Sequence, residues 1–327
     1  MTTLIRAGAL ALSLSLSLHG LASAQSTDFP SKPVTIVTPF AAGSGPDAVL
    51  RLVSEKLGKT WNQRVVVDNK PGGGGFIAIE AARHAAPDGY TLLQLDSEHL
   101  AALPHLYKAR NFKTLEAFDM VGTLFRTPFM IAVASDSPWK SVGDLVAAAK
   151  ASPAKVTYGS WGVGSPGHLG GGLLESLTGT SMQHVPYREV SQLYTSVGAG
   201  DVSWAYASIP SSQGAYRAGK IRYVAVAAPK RIPQLPDVPT VAEAGGPQGV
   251  DVNSFVVLVA PKGTPAALRQ KINGDVAKAI AEPDIRERFN TFAFEPLAWS
   301  PDEIARNAEA KSRTYEQLVK RANITLD

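Results

Sequence analysis

Two stretches of this chain share one order of residue types: a β-type strand, a loop of small residues, then the capped start of a helix. The first is Val34-Thr35-Ile36-Val37-Thr38-Pro39-Phe40-Ala41-Ala42-Gly43-Ser44-Gly45-Pro46-Asp47, leading into an apolar-periodic helix from Ala48. The second is Val156-Thr157-Tyr158-Gly159-Ser160-Trp161-Gly162-Val163-Gly164-Ser165-Pro166-Gly167-His168, leading into a helix from Leu169. The first turn of a helix carries N–H groups with no partner inside the helix and a partial positive charge, so it favours anions. Small residues let those amides approach closely. Two such ends predict two jaws closing on one anionic molecule. The side chains placed to assist are Ser160, Ser165, His168 and Tyr187, with backbone from Phe40, Ala41, Ala42, Gly43 and Ser44 and at Gly162 and Gly164. His168 is a candidate donor to a carboxylate, or else a surface imidazole beside a cap. Tyr187, after Val185-Pro186, meets a ligand or sits in a core. Trp161 has little to pack on within its glycine-rich loop and reads as a wall of the cleft.

Other chemistries fit less well. Gly43-x-Gly45-x-x-Ala48 and Gly162-x-Gly164-x-x-Gly167 match a dinucleotide fingerprint, and Asp68 has the spacing of its ribose-binding carboxylate. Asp47, however, would face the pyrophosphate. Asn69-Lys70-Pro71-Gly72-Gly73-Gly74-Gly75 lacks the Gly-Lys-Ser/Thr ending of a P-loop; it is a flexible turn before Phe76 or a loop on the cleft rim. The segments around Ser160 and Ser165 each fall one glycine short of Gly-x-Ser-x-Gly. No His has zinc-ligand spacing and Cys is absent, which leaves no thiolate chemistry and no disulfide framework. No cofactor, no metal and no catalytic residue are expected. Lys and Arg are scattered without a basic stripe, so no nucleic-acid partner is expected either.

The elements that must position these loops alternate. Strands fit Val34–Thr38, Arg64–Asp68, Thr91–Leu95, Met130–Val133, Lys155–Tyr158, Val202–Tyr206, Tyr223–Ala227 and Phe255–Ala260. Helices fit Ala48–Leu57, Phe76–His84, Val142–Lys150, Leu169–Leu177 and Gln192–Ala199, with others from Pro265 and Pro301. This is an α/β pattern, each lobe a mainly parallel sheet flanked by helices. Ser165-Pro166, Thr264-Pro265 and Ser300-Pro301 place a capping hydroxyl before Pro. Ser44-x-x-Asp47, Thr240-x-x-Glu243 and Ser300-x-x-Glu303 resemble capping boxes. The middle block reads as a complete unit, whereas the first lacks covering helices that the C-terminal region has to spare. Lobe I is therefore expected to be discontinuous, residues 25–128 plus 254–327, and lobe II to be 129–253. Two crossings between them, near Leu124–Met130 and Ser254–Ala260, would form a hinge beside a cleft.

Residues 1–24 read as a removable export signal: Arg6, the apolar run Ala7 to Leu18, and the small-x-small site Ala22-Ser23-Ala24. Cleavage after Ala24 would start the mature chain at Gln25, without a lipid anchor because no Cys stands there. Losing Arg6 takes the formal charge from +4 to +3, a mild excess that favours solubility.

These loops, their spacing and their order resemble the substrate-binding proteins of tripartite tricarboxylate transporters, also called Bug receptors. The matching stretches are Phe29-Pro30-x-Lys32-Pro33 through Pro39-Phe40-Ala41-Ala42-Gly43 and Asp47; Asn69-x-Pro71-Gly72; Pro87-Asp88-Gly89-Tyr90-Thr91-Leu92; Tyr158-Gly159-Ser160 with Gly162, Gly164 and His168; Val185-Pro186-Tyr187; and Leu235 to Gly245. They span essentially the whole mature chain. The resemblance implies a two-lobed periplasmic-binding-protein-like (type II) fold and a periplasmic receptor, not an enzyme, that closes like a trap. It implies delivery of a small carboxylate to a two-component membrane permease through transient contact; a monomer is expected. It also implies that the loops Phe40 to Asp47 and Ser160 to His168 face the ligand from opposite lobes. The chain departs from the family in having Ser44 after Gly43, Glu189 after Arg188, and Ser203 and Ser208 where Asp is common. Without those Asp residues an amino-acid ligand lacks its ammonium acceptor, unless Glu189 supplies one; Glu189 and Ser208 therefore join the candidates. Competing readings are a sensory receptor for a membrane kinase and a periplasmic hydrolase of a carboxylic acid derivative.

Overall fold

The structure, a computed structural model, describes residues 29–321 and 324–326, so the expected export signal lies outside the described residues. Its strands are β1 (Val34–Thr38), β2 (Val65–Asn69), β3 (Thr91–Asp96), β4 (Phe118–Pro128), β5 (Met130–Ala134), β6 (Thr157–Ser160), β7 (Gln183–Pro186), β8 (Trp204–Ala207), β9 (Ile221–Val226), β10 (Asn253–Pro261) and β11 (Glu295–Pro296). Its helices are α1 (Gly45–Trp61), α2 (Phe76–Arg83), α3 (Ser97–Ala101), α4 (Leu103–Leu106), α5 (Thr114–Ala117), α6 (Val142–Ala151), α7 (Pro166–Thr178), α8 (Val190–Ala199), α9 (Ile209–Arg217), α10 (Ala266–Ile280), α11 (Pro283–Phe292) and α12 (Pro301–Arg321).

Two sheets result, ordered β11-β4-β10-β3-β1-β2 and β7-β6-β8-β5-β9. The expected parallel pairing holds for β2, β1 and β3 and for β7, β6 and β8. The sheets are nevertheless mixed rather than mainly parallel: β10 runs antiparallel to β3 and β4, and β5 to β8 and β9. Connectivity is the reason. Phe129 alone separates β4 from β5, and β10 returns beside β4, so neither passage has the crossover helix that a parallel pair needs. The two passages are tied together. Asn253 pairs with Pro128; Phe129 N–H donates to Val252 O (3.2 Å), Val252 N–H to Ala227 O (2.9 Å), and Ala227 N–H to Phe129 O (2.8 Å).

Apolar runs explain the layers. β10 is buried from Ser254 to Pro261, as expected of a strand covered on both faces. On one face of the first sheet, Leu50, Val53 and Leu57 of α1 meet Ile272 and Val276 of α10 and Phe289 of α11. On the other, Ile79 of α2 and Leu100 of α3 meet Ile304 and Ala308 of α12. The second sheet is covered by α6 and α7 through Leu145 and Leu174, and by α8 through Leu193 and Val197.

The capping residues behave unequally. Ser165 accepts His168 N–H, and Ser300 with Glu303 forms reciprocal bonds. Ser44 stands at the cap of α1 without a side-chain bond. Thr264 Oγ1 instead donates to Pro261 O (2.7 Å), leaving Pro265 at the cap of α10. Thr240 and Glu243 exchange the bonds of a capping box (2.8 and 3.2 Å), yet Gly245-Gly246-Pro247 stops any helix from following.

Helix α7 needs its glycines for contact. A Cβ on Gly170 would lie 2.7 Å from Val252 and 2.9 Å from Tyr206, and one on Gly171 would overlap the Tyr158 ring. Gly171→Ala gains about 1 kcal/mol of helix propensity, but the forced overlap costs about 1–3 kcal/mol, the upper end of which applies where the Cβ would sit 2.2 Å from the Tyr158 ring. We therefore expect a lower urea midpoint for Gly171→Ala, whereas an unpacked glycine would give a higher one.

Candidate functional site

A cavity of about 790 Å³ opens between the two sheets. Both small-residue turns reach it, through Phe40, Gly43 and Ser44 of the first and Trp161, Gly164 and Ser165 of the second. So do the starts of four helices: Gly45 and Pro46 of α1, Pro166 of α7, Val190 and Ser191 of α8, and Pro210 and Ser211 of α9. The α1 and α9 starts oppose each other closely, since a Cβ on Gly45 would lie 3.8 Å from Pro210 Cγ. Gly164, at φ +79°, would overlap Leu106 of α4 if it carried a Cβ, so only glycine lets the second turn approach the first sheet's side.

The second turn is organised from behind. Ser160 is fully buried; its hydroxyl donates to Gly162 O (2.9 Å), accepts Gly162 N–H (3.2 Å) and lies 2.7 Å from His184 Nε2. With its proton on Gly162 O, the hydroxyl accepts from His184 Nε2–H. His168 Nδ1 accepts Gly164 N–H (3.0 Å), which requires a neutral ring. The two imidazoles stack at 3.8 Å and 9°. Burial lowers the His168 pKa to about 4; burial and then His168 lower that of His184 to about 3. Ser160 and His168, expected to point donors at a ligand, do not line the cavity; both shape the loop that does. His184 was missed because its partner Ser160 is 24 residues away in sequence.

The first turn has a similar support. Asp47 is buried, accepting Gly43 N–H (2.8 Å), Arg51 Nε–H (3.0 Å) and Asn69 Nδ2–H (2.7 Å). Burial alone would raise its pKa, but the Arg51, Asn69 and Gly43 bonds outweigh that and hold it below the ordinary value. Asp47 is therefore a brace, not part of the cavity wall. Ser44 Oγ lies on that wall, buried and without a hydrogen-bond partner. Ala41 and Ala42 are exposed and outside the lining; Gly162, half-buried, is outside it too. Tyr187 packs against the α8 side of the second sheet, with its N–H on Ser160 O (2.8 Å). Glu189 caps α8 away from the lining, while Ser208, the cap of α9, is on it.

Sequence reasoning missed the charged wall. Asp96, Glu98 and His99 line the cavity at the start of α3. Asp96 Oδ1 accepts His99 N–H (2.9 Å) and lies 2.5 Å from His99 Nδ1, each side chain about 15% exposed. Burial opposes charge on both. The Asp96 carboxylate nonetheless raises the His99 pKa above its ordinary value, and His99 in turn lowers that of Asp96. The pairing therefore favours the protonated form of His99. Among the described residues it is the only basic side chain on the wall. Glu98 is held behind it by Tyr315 (2.6 Å), Ser254 (2.5 Å) and Lys311 (3.3 Å). The signal was present: Thr91 to His99 is a third strand-to-cap-to-helix junction, with Asp in place of small residues. The glycine loop serves it, since Gly74 lines the cavity and a Cβ on Gly75 (φ +88°) would overlap the His99 ring.

A family model described as tripartite tricarboxylate transporter family receptor matches residues 49–324. A UPF0065 protein of Agrobacterium vitis is 36% identical over 281 residues, 86% of this chain and 80% of that protein. Among solved structures, an R. palustris protein with adipate is 31% identical at a TM-score of 0.80, covering 91% of this chain and all of that one. A Rhodopseudomonas palustris protein with bound malate is 28% identical at 0.76, covering 89% and 100%. The fold is two-lobed and type II-like, as in such periplasmic binding proteins.

The buried imidazoles make the second turn acid-sensitive. Their folded values, about 4 and about 3, lie below the ordinary ~6.5, so the unfolded chain binds more protons in between. Stability therefore rises with pH up to about 6.5 and is flat above as far as these groups decide. In urea unfolding at pH 4.5 and 6.5, the double variant His168→Gln/His184→Gln should lose part of that slope.

Proposed function

The chain belongs to the tripartite tricarboxylate transporter receptor family, whose members bind solutes and are not enzymes, and on that premise we propose that it holds a small carboxylate in the cavity between its sheets. The observation that carries this reading is the convergence on one cavity of four helix starts and the Asp96-paired imidazole of His99. First-turn amides without partners in their own helices supply donors from both sides. Pro46, Pro166 and Pro210 each remove one amide without disturbing the others. His99 Nδ1 is taken by Asp96, and its ring makes no other hydrogen bond among the described residues, so Nε2–H is free for an acid. Each charge-assisted bond contributes about 1.5–3 kcal/mol net, and three or four suffice for micromolar affinity, about −8 kcal/mol. The relatives solved with adipate and malate support an acidic ligand.

The ligand-loaded form closes because only closure lets both lobes, 25–128 with 254–327 and 129–253, touch one molecule. The protein is exported after cleavage at Ala24, works in the periplasm as a monomer, and hands its ligand to a two-component permease by transient contact. Ser44, Ser165, Ser208 and Trp161 contact the ligand with Phe40, Gly43 and Gly164; Ser160, His168 and Asp47 hold the loops in shape.

In a thermal-shift screen, an acid at 100 times its dissociation constant should add about 2.7 kcal/mol of stability. A shift with neutral sugars and with no acid would defeat the assignment. His99→Gln should weaken the responding acid about tenfold or more, one charge-assisted bond. The wild-type affinity should fall as pH rises past the raised His99 value, because the imidazolium facing Asp96 and Glu98, with Lys311 behind them, is present only below it. In His99→Gln that pH dependence should vanish.

A further inference from the structure

The cavity wall carries more than anion-binding groups. Six aromatic side chains face it: Phe40, Tyr107, Phe292 and Phe294 from the first sheet's side, and Phe129 and Trp161 from the second's. Phe129 and Trp161 lie at 5.3 Å and 34° as one tilted surface, and Phe40 stands edge-on to the His99 ring at 5.9 Å. Against this apolar lining stand one imidazole, His99, and two acids, Asp96 and Glu98, with Lys311 bound to Glu98 from behind. No Lys or Arg lines the cavity among the described residues. A ligand with three carboxylates would have to leave two of them to helix starts alone, on a wall with no second basic side chain and two acids of its own. A ligand with one carboxylate can place it at His99 and the helix starts and lay an apolar body against the rings.

We propose that the receptor's ligand is a monocarboxylate with an aromatic body, clasped between the Phe40 side and the Trp161–Phe129 side of the cavity. This rests on the carboxylate reading above and narrows it. The volume, about 790 Å³, is that of a pocket for a ring-bearing molecule rather than a single carboxylate group. Aromatic pairs in tilted and edge-on arrangements gain beyond their buried area, and the wall offers both. Trp161 is the specificity residue: it sits in the turn that Ser160, His168 and His184 hold rigid.

The test is calorimetric titration of the purified chain with phenylacetate, cyclohexylacetate, adipate and citrate. Phenylacetate should bind tightest, with citrate at least tenfold weaker and cyclohexylacetate intermediate. Adipate or citrate binding more tightly than phenylacetate would overturn the aromatic assignment and leave the receptor reading intact; no acid binding at all would remove both. Trp161→Leu keeps apolar bulk and removes the ring. It should weaken phenylacetate severalfold and adipate distinctly less. An equal loss for both acids would overturn the role of the ring. Phe40→Leu, on the opposite wall, should repeat the pattern.

Discussion

The first amides of an α-helix cannot be satisfied within it, and this fold directs four such ends, those of α1, α7, α8 and α9, at one cavity. The two-sheet arrangement gives them that shared focus. Helices covering a sheet begin at the same edge when they follow parallel strands, as α1 follows β1 and α7 follows β6. Two sheets joined by β4 and β10 bring two such edges face to face. The anion-binding tendency is a property of the backbone, and the side chains around it set shape and charge.

Much of the chemistry read from side-chain type turns out to be scaffolding. Ser160, His168 and His184 form a buried relay that fixes Gly162 and Gly164. Asp47, Asn69 and Arg51 do the same for Gly43. Loops rich in small residues are entropically loose, and each here is braced by polar side chains around a buried residue, Asp47 in one and Ser160 in the other. A binding loop held in shape before the ligand arrives loses less freedom on binding.

How much of this was legible depended on local signals. β1 was read residue for residue and β10 nearly so, because runs such as Ile36-Val37 and Phe255-Val256-Val257-Leu258-Val259 admit little else. The α7 cap was legible in Ser165-Pro166. β4 was missed as a strand, since Gly122, Thr123 and Arg126-Thr127-Pro128 interrupt its pattern and tertiary pairing overrides propensity. α9 was missed because Pro210, Ser211, Ser212 and Gly214 are weak helix formers. The site was legible where backbone decides it, at Gly43 to Pro46 and Gly164 to Pro166. It was illegible where distant segments meet, as at Asp96 and His99 under the Gly74-Gly75 turn, or Phe292 and Phe294 arriving from the far end of the chain.

Helix α12 touches both halves of the molecule. Tyr315 and Lys311 hold Glu98 under the cavity; Leu318 and Val319 pack with Leu169 of α7, and Arg321 reaches Ser176 (2.6 Å). The sheets are therefore fastened at a third point, away from the β4 and β10 passages. Two passages alone would leave the halves free to turn about the line through them. With α12 seated on α7, any change in the width of the cavity must shear the Leu318–Leu169 packing or bend α12 itself.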